Sequence, residues 1–333
     1  MNEFIKEQFV LGIPGNSNSE PNLNVSYGID KNFLYGAGVS IASVLLNNTD
    51  LKFCFHIFTD YIDEDYLSTF RATAEQFDTK IIIYLIDPIF FSNLPTSQFW
   101  SYATYFRILS FEYLSKNIST LLYLDADVIC KGSLKKIAKI NFIDEYAAVI
   151  PDNDDTQYAS AKRLDIPDIQ GFYFNAGVIY VNLKKWHSSN LTPILISLLR
   201  GESKFGYLKY LDQDALNIAF NKNNIYLSSD YNKIYSLKNE LKDNSHQKYM
   251  QTISNETVLI HYTGITKPWH LWARYPAAKY FLEAATSTPW KKYPLKDARN
   301  KTEMQKKYKH LIKQRRFISG LVSLIEYKLA KRK

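Results

Sequence analysis

The chain has 333 residues, of which 46% are hydrophobic, 15% aromatic and 22% charged, with a formal net charge of +8. This is the balance of a globular chain long enough to bury a large core in one or two domains, and it excludes a disordered or low-complexity protein. The positive charge is local: residues 291–333 hold fifteen Lys or Arg against Asp297, Glu303 and Glu326, so the body before them is mildly acidic. That placement sets a nucleic-acid-binding role aside, because the basic charge lies in the tail.

Residues 1–22 read as a loose lead-in, with the Pro-Gly-Asn-Ser-Asn-Ser run at 14–19 as a flexible segment. The start lacks the basic residues and long apolar stretch of a signal peptide. No run approaches the roughly 20 apolar residues that span a bilayer. The two cysteines, Cys54 and Cys130, both fall in apolar strand-like runs and read as buried free thiols of a reducing compartment. The chain is expected to be cytoplasmic.

A first strand is expected over 23–28, then a helix over 33–46 with Asp30 and Asn32 as candidate N-caps. Strands over 51–58 and 80–86 flank a helix over 63–77 that opens with acids. This alternation predicts a mostly parallel, doubly wound α/β sheet with helices on both faces. A helix over 102–113 precedes the apolar strand that runs into Asp125-Ala126-Asp127. The Gly-rich dinucleotide fingerprint is missing: Gly36-Ala37-Gly38 has Ile41 where the third glycine belongs, which excludes an NAD enzyme on that motif.

Asp125 and Asp127 carry the chemistry of this half. Buried carboxylates need a counter-charge, and side chains at i and i+2 of an extended chain share one side. Both can therefore converge on one hard cation, Mg2+ or Mn2+. The same tripeptide also ends strands as a turn with two solvated acids, so the rest of the chain has to decide.

Further on, strands are expected over 147–150 and 173–182, the second containing Asn175 and Gly177. A glycine inside a strand marks close backbone approach or a bulge. Residues 157–169 read as helix or loop, and 193–199 as a buried helix. Another helix opens at Leu211-Asp212-Gln213-Asp214, where one acid caps the N-terminus. A last strand over 257–261 ends in His261, which is either a satisfied structural histidine or a third metal ligand. Gly264 and Lys267 behind it suit close approach and phosphate pairing.

Tyr27-Gly28-Ile29-Asp30-Lys31-Asn32, Tyr105-Phe106-Arg107, Leu124-Asp125-Ala126-Asp127, Phe174-Asn175-Ala176-Gly177, Asp212-Gln213-Asp214 and His261-Tyr262-Thr263-Gly264-Ile265-Thr266-Lys267-Pro268-Trp269 occur in that order. This ordered set over residues 23–290 resembles family 8 of the retaining glycosyltransferases, and within it the lipopolysaccharide outer-core hexosyltransferases. Glu240-Leu241-Lys242-Asp243 and Tyr308-Lys309-His310-Leu311 add to the closer likeness.

The resemblance implies a GT-A type fold, Rossmann-like, over 23–290, with 1–22 as lead-in and 291–333 as a basic helical tail. It implies UDP binding by Tyr27, Gly28, Ile29, Asp30, Asn32, Ala126, Gly264 and Lys267. It implies Mg2+ or Mn2+ on Asp125, Asp127 and His261, and a donor hexose held by Arg107, Asp152 and Asn175. Gln213 and Asp212 would stand at the reacting centre, and the residues leave front-side attack and double displacement both open. The implied reaction is transfer of an α-linked glucose from UDP-glucose, a UDP-sugar donor, to the lipopolysaccharide core acceptor. UDP-galactose transfer and non-catalytic sugar-nucleotide binding are the alternatives.

The tail places Phe317, Ile318, Leu321, Val322, Ile325 and Leu329 on one helical face among basic residues. This amphipathic pattern fits an anionic membrane surface, or else a solvated terminal helix. The resemblance implies the former, with the chain peripheral on the inner face of the bacterial inner membrane.

Overall fold

The chain opens with an element that its pattern conceals. In the structure, a computed structural model describing residues 4–12, 20–87, 89, 94–95 and 102–332, Ile5–Leu11 forms strand β1. Residues 5–11 of the lead-in therefore belong to the sheet. Lys6, Glu7 and Gln8 are exposed, which is how an edge strand hides in a sequence and how it resists further pairing. The run at 14–19 lies outside the described residues.

The βαβ alternation follows as expected: β2 (Leu23–Ile29), α1 (Leu34–Asn47), β3 (Phe53–Thr59), α2 (Glu64–Gln76) and β4 (Lys80–Ile86). Asp63 caps α2 by accepting from the Tyr66 N–H at 2.9 Å. Neither Asp30 nor Asn32 caps α1. Asp30 instead accepts from the Asn32 N–H at 2.8 Å, a local turn before the helix. Then come α3 (Phe106–Leu114), β5 (Thr120–Leu124), β6 (Val128–Cys130), α4 (Lys135–Ala138), β7 (Ala147–Pro151) and α5 (Asp154–Leu164). Strand β8 (Phe174–Asn182) leads into α6 (Leu183–Ser188), α7 (Leu191–Leu199), α8 (Leu211–Phe220), β9 (Asn224–Tyr226), β10 (Lys233–Ile234), α9 (Tyr249–Thr252) and β11 (Leu259–His261). Three helices close the chain: α10 (Lys279–Thr286), α11 (Lys301–Lys313) and α12 (Phe317–Arg332).

Among the described residues the main sheet runs β1-β4-β3-β2-β5-β8-β7-β9. It is parallel from β4 to β5, as the alternation predicts, and reverses at β8, which is antiparallel to both β5 and β7. β3 is buried along its whole length, as a central parallel strand with both faces covered must be. One apolar layer packs Val25, Ile41, Phe55 and Trp290, and the other packs Phe58, Phe106, Tyr123 and Trp186. Helices therefore cover both faces. A second sheet, β10-β11-β6, stands beside the carboxyl end of β5.

Gly36 and Gly38 serve packing. A Cβ at 36 would meet the Trp269 ring at 2.7 Å, and one at 38 the Trp290 ring at 2.0 Å. Both cysteines are buried and free.

The tail is a helical hairpin. Arg315, at φ +60°, turns the chain between α11 and α12. Gly320 lets the helices close, since a Cβ there would stand 2.8 Å from Ile312 Cγ1. Buried Leu311 and His310 dock α11 on the body. α12 then turns its apolar residues outward: Ile318 is 85% exposed and Leu321 58%. No described helix is long and apolar enough to cross a membrane.

Candidate active site

Two strand pairings bring the acids of the D-x-D to His261. The chain leaves β5 at Leu124, and Asp125 to Val128 closes a turn, with the Val128 N–H donating to the Asp125 C=O at 3.0 Å. The side chains converge through this turn, and not through the extended i, i+2 spacing expected. β6 then pairs antiparallel with β11 in a register that sets His261 opposite Val128. On the other flank the Asp125 N–H donates to the Gly177 C=O at 2.8 Å, which continues the β5–β8 ladder.

Ligand atoms of Asp125, Asp127 and His261 all lie within 4.8 Å of one another. His261 Nε2 is 3.2 Å from Asp127 Oδ1 and 3.8 Å from Asp125 Oδ2. Its Nδ1 lies 3.1 Å from Asn232 Oδ1, an acceptor, so Nδ1 carries a proton and Nε2 is turned toward the acids. Two carboxylates and an oriented imidazole nitrogen suit a hard divalent cation, and the cluster fits Mg2+ or Mn2+. Burial pushes the Asp127 carboxyl up, but Lys267 and His261 outweigh it and hold that group well below the usual carboxylate range. Lys267 Nζ pairs with Asp127 and donates to the Tyr262 C=O at 3.0 Å. Burial disfavours charge on His261, yet Asp127 raises its pKa overall, so a proton and a metal compete for Nε2.

Arg107, on the first turn of α3, is buried and donates from all three of its nitrogens. Nη2 donates to Asp125 Oδ1 at 3.0 Å, Nη1 to the Ala176 C=O, and Nε to the Thr104 C=O at 3.3 Å. Asp212 Oδ2 is a close ion contact, 2.8 Å from Nε. Burial raises the Asp212 carboxyl, while Arg107 and the Thr104 hydroxyl, 2.7 Å away, oppose that rise. The guanidinium thus ties the carboxylate cluster to the start of α8.

Beside it the Gln213 amide is pinned on both ends. Oε1 accepts from the Ala176 N–H at 3.0 Å and from Asn175 Nδ2 at 3.4 Å, while Nε2 donates to Asp152 Oδ2 at 3.1 Å and to the Tyr173 hydroxyl at 3.3 Å. Asn175 also donates to Asp152 Oδ2 at 3.0 Å. The start of α8 is held by Asp214, which is fully buried. It takes two bonds from Arg163 at 2.8 and 2.9 Å, one from the Tyr173 hydroxyl at 2.6 Å and one from the Tyr210 N–H at 2.8 Å. Leu211, between them, sits at φ +42°, a strained position for a branched residue. Of the two acids, Asp214 is the structural one.

Asp125, Asp127, His261, Lys267, Arg107, Asp212, Gln213, Asp152 and Asn175 line one cleft of about 1100 Å³, and Asn232, Asp214, Arg163 and Tyr173 support them from outside its lining. The expected Gly28, Ile29, Asp30 and Asn32 form one wall, Asp152 and Asn175 another, and Gly264 and Lys267 a third, with Arg107, Ala126, Asp212, Gln213 and the triad between them. Tyr27 is the exception and is a correction. Its side chain is fully buried, points into the core layer, and has its hydroxyl 3.0 Å from Ser40 Oγ. It stands inside β2, two residues before Ile29, which at the end of the strand does line the cleft. Sequence reasoning missed Asn232 and Thr104. Thr104 stands three residues before Arg107, a spacing that could have flagged it, whereas nothing around Asn232 marks it. It also missed that Arg299, Asn300, Lys301, Thr302 and Glu303 line the same cleft.

Residues 24–273 match the sequence profile described as Glycosyl transferase family 8, and residues 275–331 that described as Glycosyl transferase family 8 C-terminal. A lipopolysaccharide 1,2-glucosyltransferase of Escherichia coli is 46% identical over 92% of this chain and 91% of that protein. A lipopolysaccharide 1,3-galactosyltransferase of Salmonella typhimurium is 37% identical over 91% and 90%. Among solved structures, the galactosyltransferase LgtC in complex with donor and acceptor sugar analogs superposes with a TM-score of 0.67 at 24% identity, over 80% of this chain and 96% of that one.

Proposed function

The chain belongs to glycosyltransferase family 8, and from that premise we propose that it transfers glucose from UDP-glucose to a hydroxyl of the lipopolysaccharide outer core, keeping the α configuration. The single observation that carries the reaction type is the convergence of Asp125, Asp127 and His261 at the foot of a cleft whose opposite wall is the pinned Gln213–Asp152–Asn175 group. The choice of glucose rests on the likeness to the 1,2-glucosyltransferase across nearly the whole chain.

In this reading Asp125, Asp127 and His261 would hold Mg2+ or Mn2+, which when bound supplies positive charge against the departing diphosphate. Lys267 sits on the same side and would add a second, fixed charge to that leaving group. The left-handed Gly264, at φ +89°, lets the loop before Lys267 approach the phosphates closely. Gly28, Ile29, Asp30, Asn32 and Ala126 would bind the nucleotide. Asp152 and Asn175 would orient the hexose, and Arg107 would act by holding Asp125 and Asp212 in place.

The pinned amide favours front-side attack. Gln213 Oε1 already accepts from Ala176 and Asn175, so neither lone pair is free for the anomeric carbon. Asp212 is held beside Arg107, with Oδ1 accepting from the Thr104 hydroxyl and Oδ2 buried 2.8 Å from Arg107 Nε. Attack by the acceptor hydroxyl from the face that UDP leaves needs no protein nucleophile and retains configuration.

The outward apolar face of α12, with Arg315, Arg316, Lys328, Lys331 and Arg332 around it, fits the surface of an anionic bilayer. Each basic residue near such a surface adds about 1 kcal/mol. The chain would work as a peripheral protein on the cytoplasmic face of the inner membrane, where a lipid-anchored acceptor passes. Proton NMR of the product made from UDP-glucose and truncated core tests the reaction: an α-anomeric signal is expected, and a β signal would overturn it.

A further inference from the structure

Two segments of the closer family likeness, Glu240 to Asp243 and Tyr308 to Leu311, take no part in the site described above. In the structure they meet around Tyr275. Glu240, fully buried, accepts from the Tyr235 hydroxyl at 2.5 Å and lies 2.7 Å from His246 Nδ1. The His246 ring lies 5.0 Å from that of Tyr275. The Tyr275 hydroxyl is 2.8 Å from His310 Nδ1, and His310 Nε2 is 3.2 Å from Thr266 Oγ1. Trp272 Nε1 donates to the same Thr266 oxygen at 3.3 Å. Lys313 on α11 adds a bond to Asn244 Oδ1 at 2.6 Å.

The far end of this chain of contacts matters. Thr266 directly precedes Lys267, the cation paired with Asp127, and follows Gly264 by two residues. His310 is fully buried and both ring nitrogens are used, so the imidazole is a fixed strut between α11 and the 264–267 loop. A second tie runs alongside: the Lys296 N–H donates to the Trp269 C=O at 2.8 Å, the Leu271 N–H to the Lys296 C=O at 3.0 Å, and Lys296 Nζ to the Asn32 C=O at 2.8 Å. The first turn of α11 then forms part of the cleft wall.

We propose that His310 is a positioning residue for the phosphate-binding loop, so that α11 belongs to the catalytic device and only α12 serves the membrane. Helix α11 and the 264–267 loop are thereby tied to one another. The two-segment likeness is explained as well: Glu240 fixes His246, His246 backs Tyr275, and Tyr275 and Thr266 hold His310 from its two sides.

This inference rests on the nucleotide reading of the cleft, and the test separates the two. UDP binding in the presence of Mn2+ would be measured by calorimetry for the unaltered chain, His310→Ala, Thr266→Val, the double variant and His310→Gln. Losing one buried hydrogen bond that orders the loop weakens UDP by about tenfold in each single variant. The double variant is expected to fall well short of the product of the two single losses, because both remove the His310–Thr266 contact while each also loses one contact of its own, to Tyr275 or to Trp272. His310→Gln, whose amide reaches Thr266, is expected to recover most of the affinity. Vesicle binding is unchanged throughout.

Unaltered UDP affinity in folded His310→Ala and Thr266→Val, even with a lowered melting temperature, would overturn the positioning role. So would two losses that simply add. Failure of the unaltered chain to bind UDP would overturn the nucleotide reading and this inference with it.

Discussion

Gly177 lies so close under His261 that a Cβ on residue 177 would stand 2.3 Å from the imidazole Cε1 and 2.9 Å from Asp125 Oδ2. The strand that forms one side of the site can therefore carry no side chain at this point. Gly177→Ala is expected to displace His261 and Asp125 together and to lower kcat by more than a hundredfold. Circular dichroism should show the fold unchanged. Activity within tenfold of the unaltered chain would mean that the cluster tolerates rearrangement.

Asp125→Ala and His261→Ala should each abolish turnover while the protein folds. Asp125→Ala also strips Arg107 of one of its two carboxylate partners, leaving Asp212 as the other. Residual turnover above about one per cent in either variant, measured with excess Mn2+, would count against the assigned ligand set.

Arg163 pairs with fully buried Asp214 through two bonds at 2.8 and 2.9 Å. Arg163→Met leaves that carboxylate paired with the Tyr173 hydroxyl and Tyr210 N–H alone. Breaking one side of such a pair costs about 3 kcal/mol, toward the low end of the range because Arg163 is partly exposed. Urea unfolding measures it, and a loss under 1 kcal/mol would show that Asp214 does not need its countercharge.

Three buried histidines set a pH dependence of stability. Burial lowers His56 to about 3, His270 to about 3 and His310 to about 4, from an ordinary 6.5. Each stays neutral in the folded chain and gains a proton near pH 6.5 once unfolded. The unfolded chain therefore binds more protons below that point, and stability falls as pH drops from about 6.5 toward 4. The slope reaches about 1.4 kcal/mol per pH unit for each histidine. Denaturation at pH 7 and pH 5 should show the drop, and His56→Gln should flatten it. Equal stability at both pH values would contradict the neutral assignment.

The outward face of α12 gives a separate test. Leu321→Glu with Ile325→Glu keeps the helix but puts acids on a face that is now apolar and rimmed with base. Binding to vesicles rich in anionic lipid should fall at least tenfold, with turnover on a detergent-free soluble acceptor fragment unchanged. Undiminished vesicle binding would assign the face to something other than lipid.

How far the sequence spoke for this structure depends on the kind of signal. The βαβ half was legible because β2, β3 and β4 are apolar runs separated by periodic helices, the second of them capped by Asp63. Asp125, Asp127, His261, Gly264 and Lys267 were legible because each ends or follows an apolar strand. β1 was hidden because an edge strand exposes Lys6, Glu7 and Gln8. Tyr27 falls outside the cleft because it lies inside β2, two residues before the strand's end, and a motif names residues without saying which of them reach the edge of the sheet. Asn232 was invisible because the β10–β11 pairing, and not any local pattern, brings it to His261. The wall at residues 299–303 hides in a basic tail, because only the docking of α11 on the body brings it to the cleft.

The most direct test is a donor assay. The purified chain would be incubated with UDP-glucose or UDP-galactose, with Mg2+, Mn2+ or chelator, and with truncated core lipopolysaccharide, following UDP release. Release from UDP-glucose is expected to require both metal and acceptor, with UDP-galactose at least tenfold slower. Preference for UDP-galactose would contradict the donor assignment while keeping the site. No release from either donor by a folded chain that binds UDP would contradict the account as a whole.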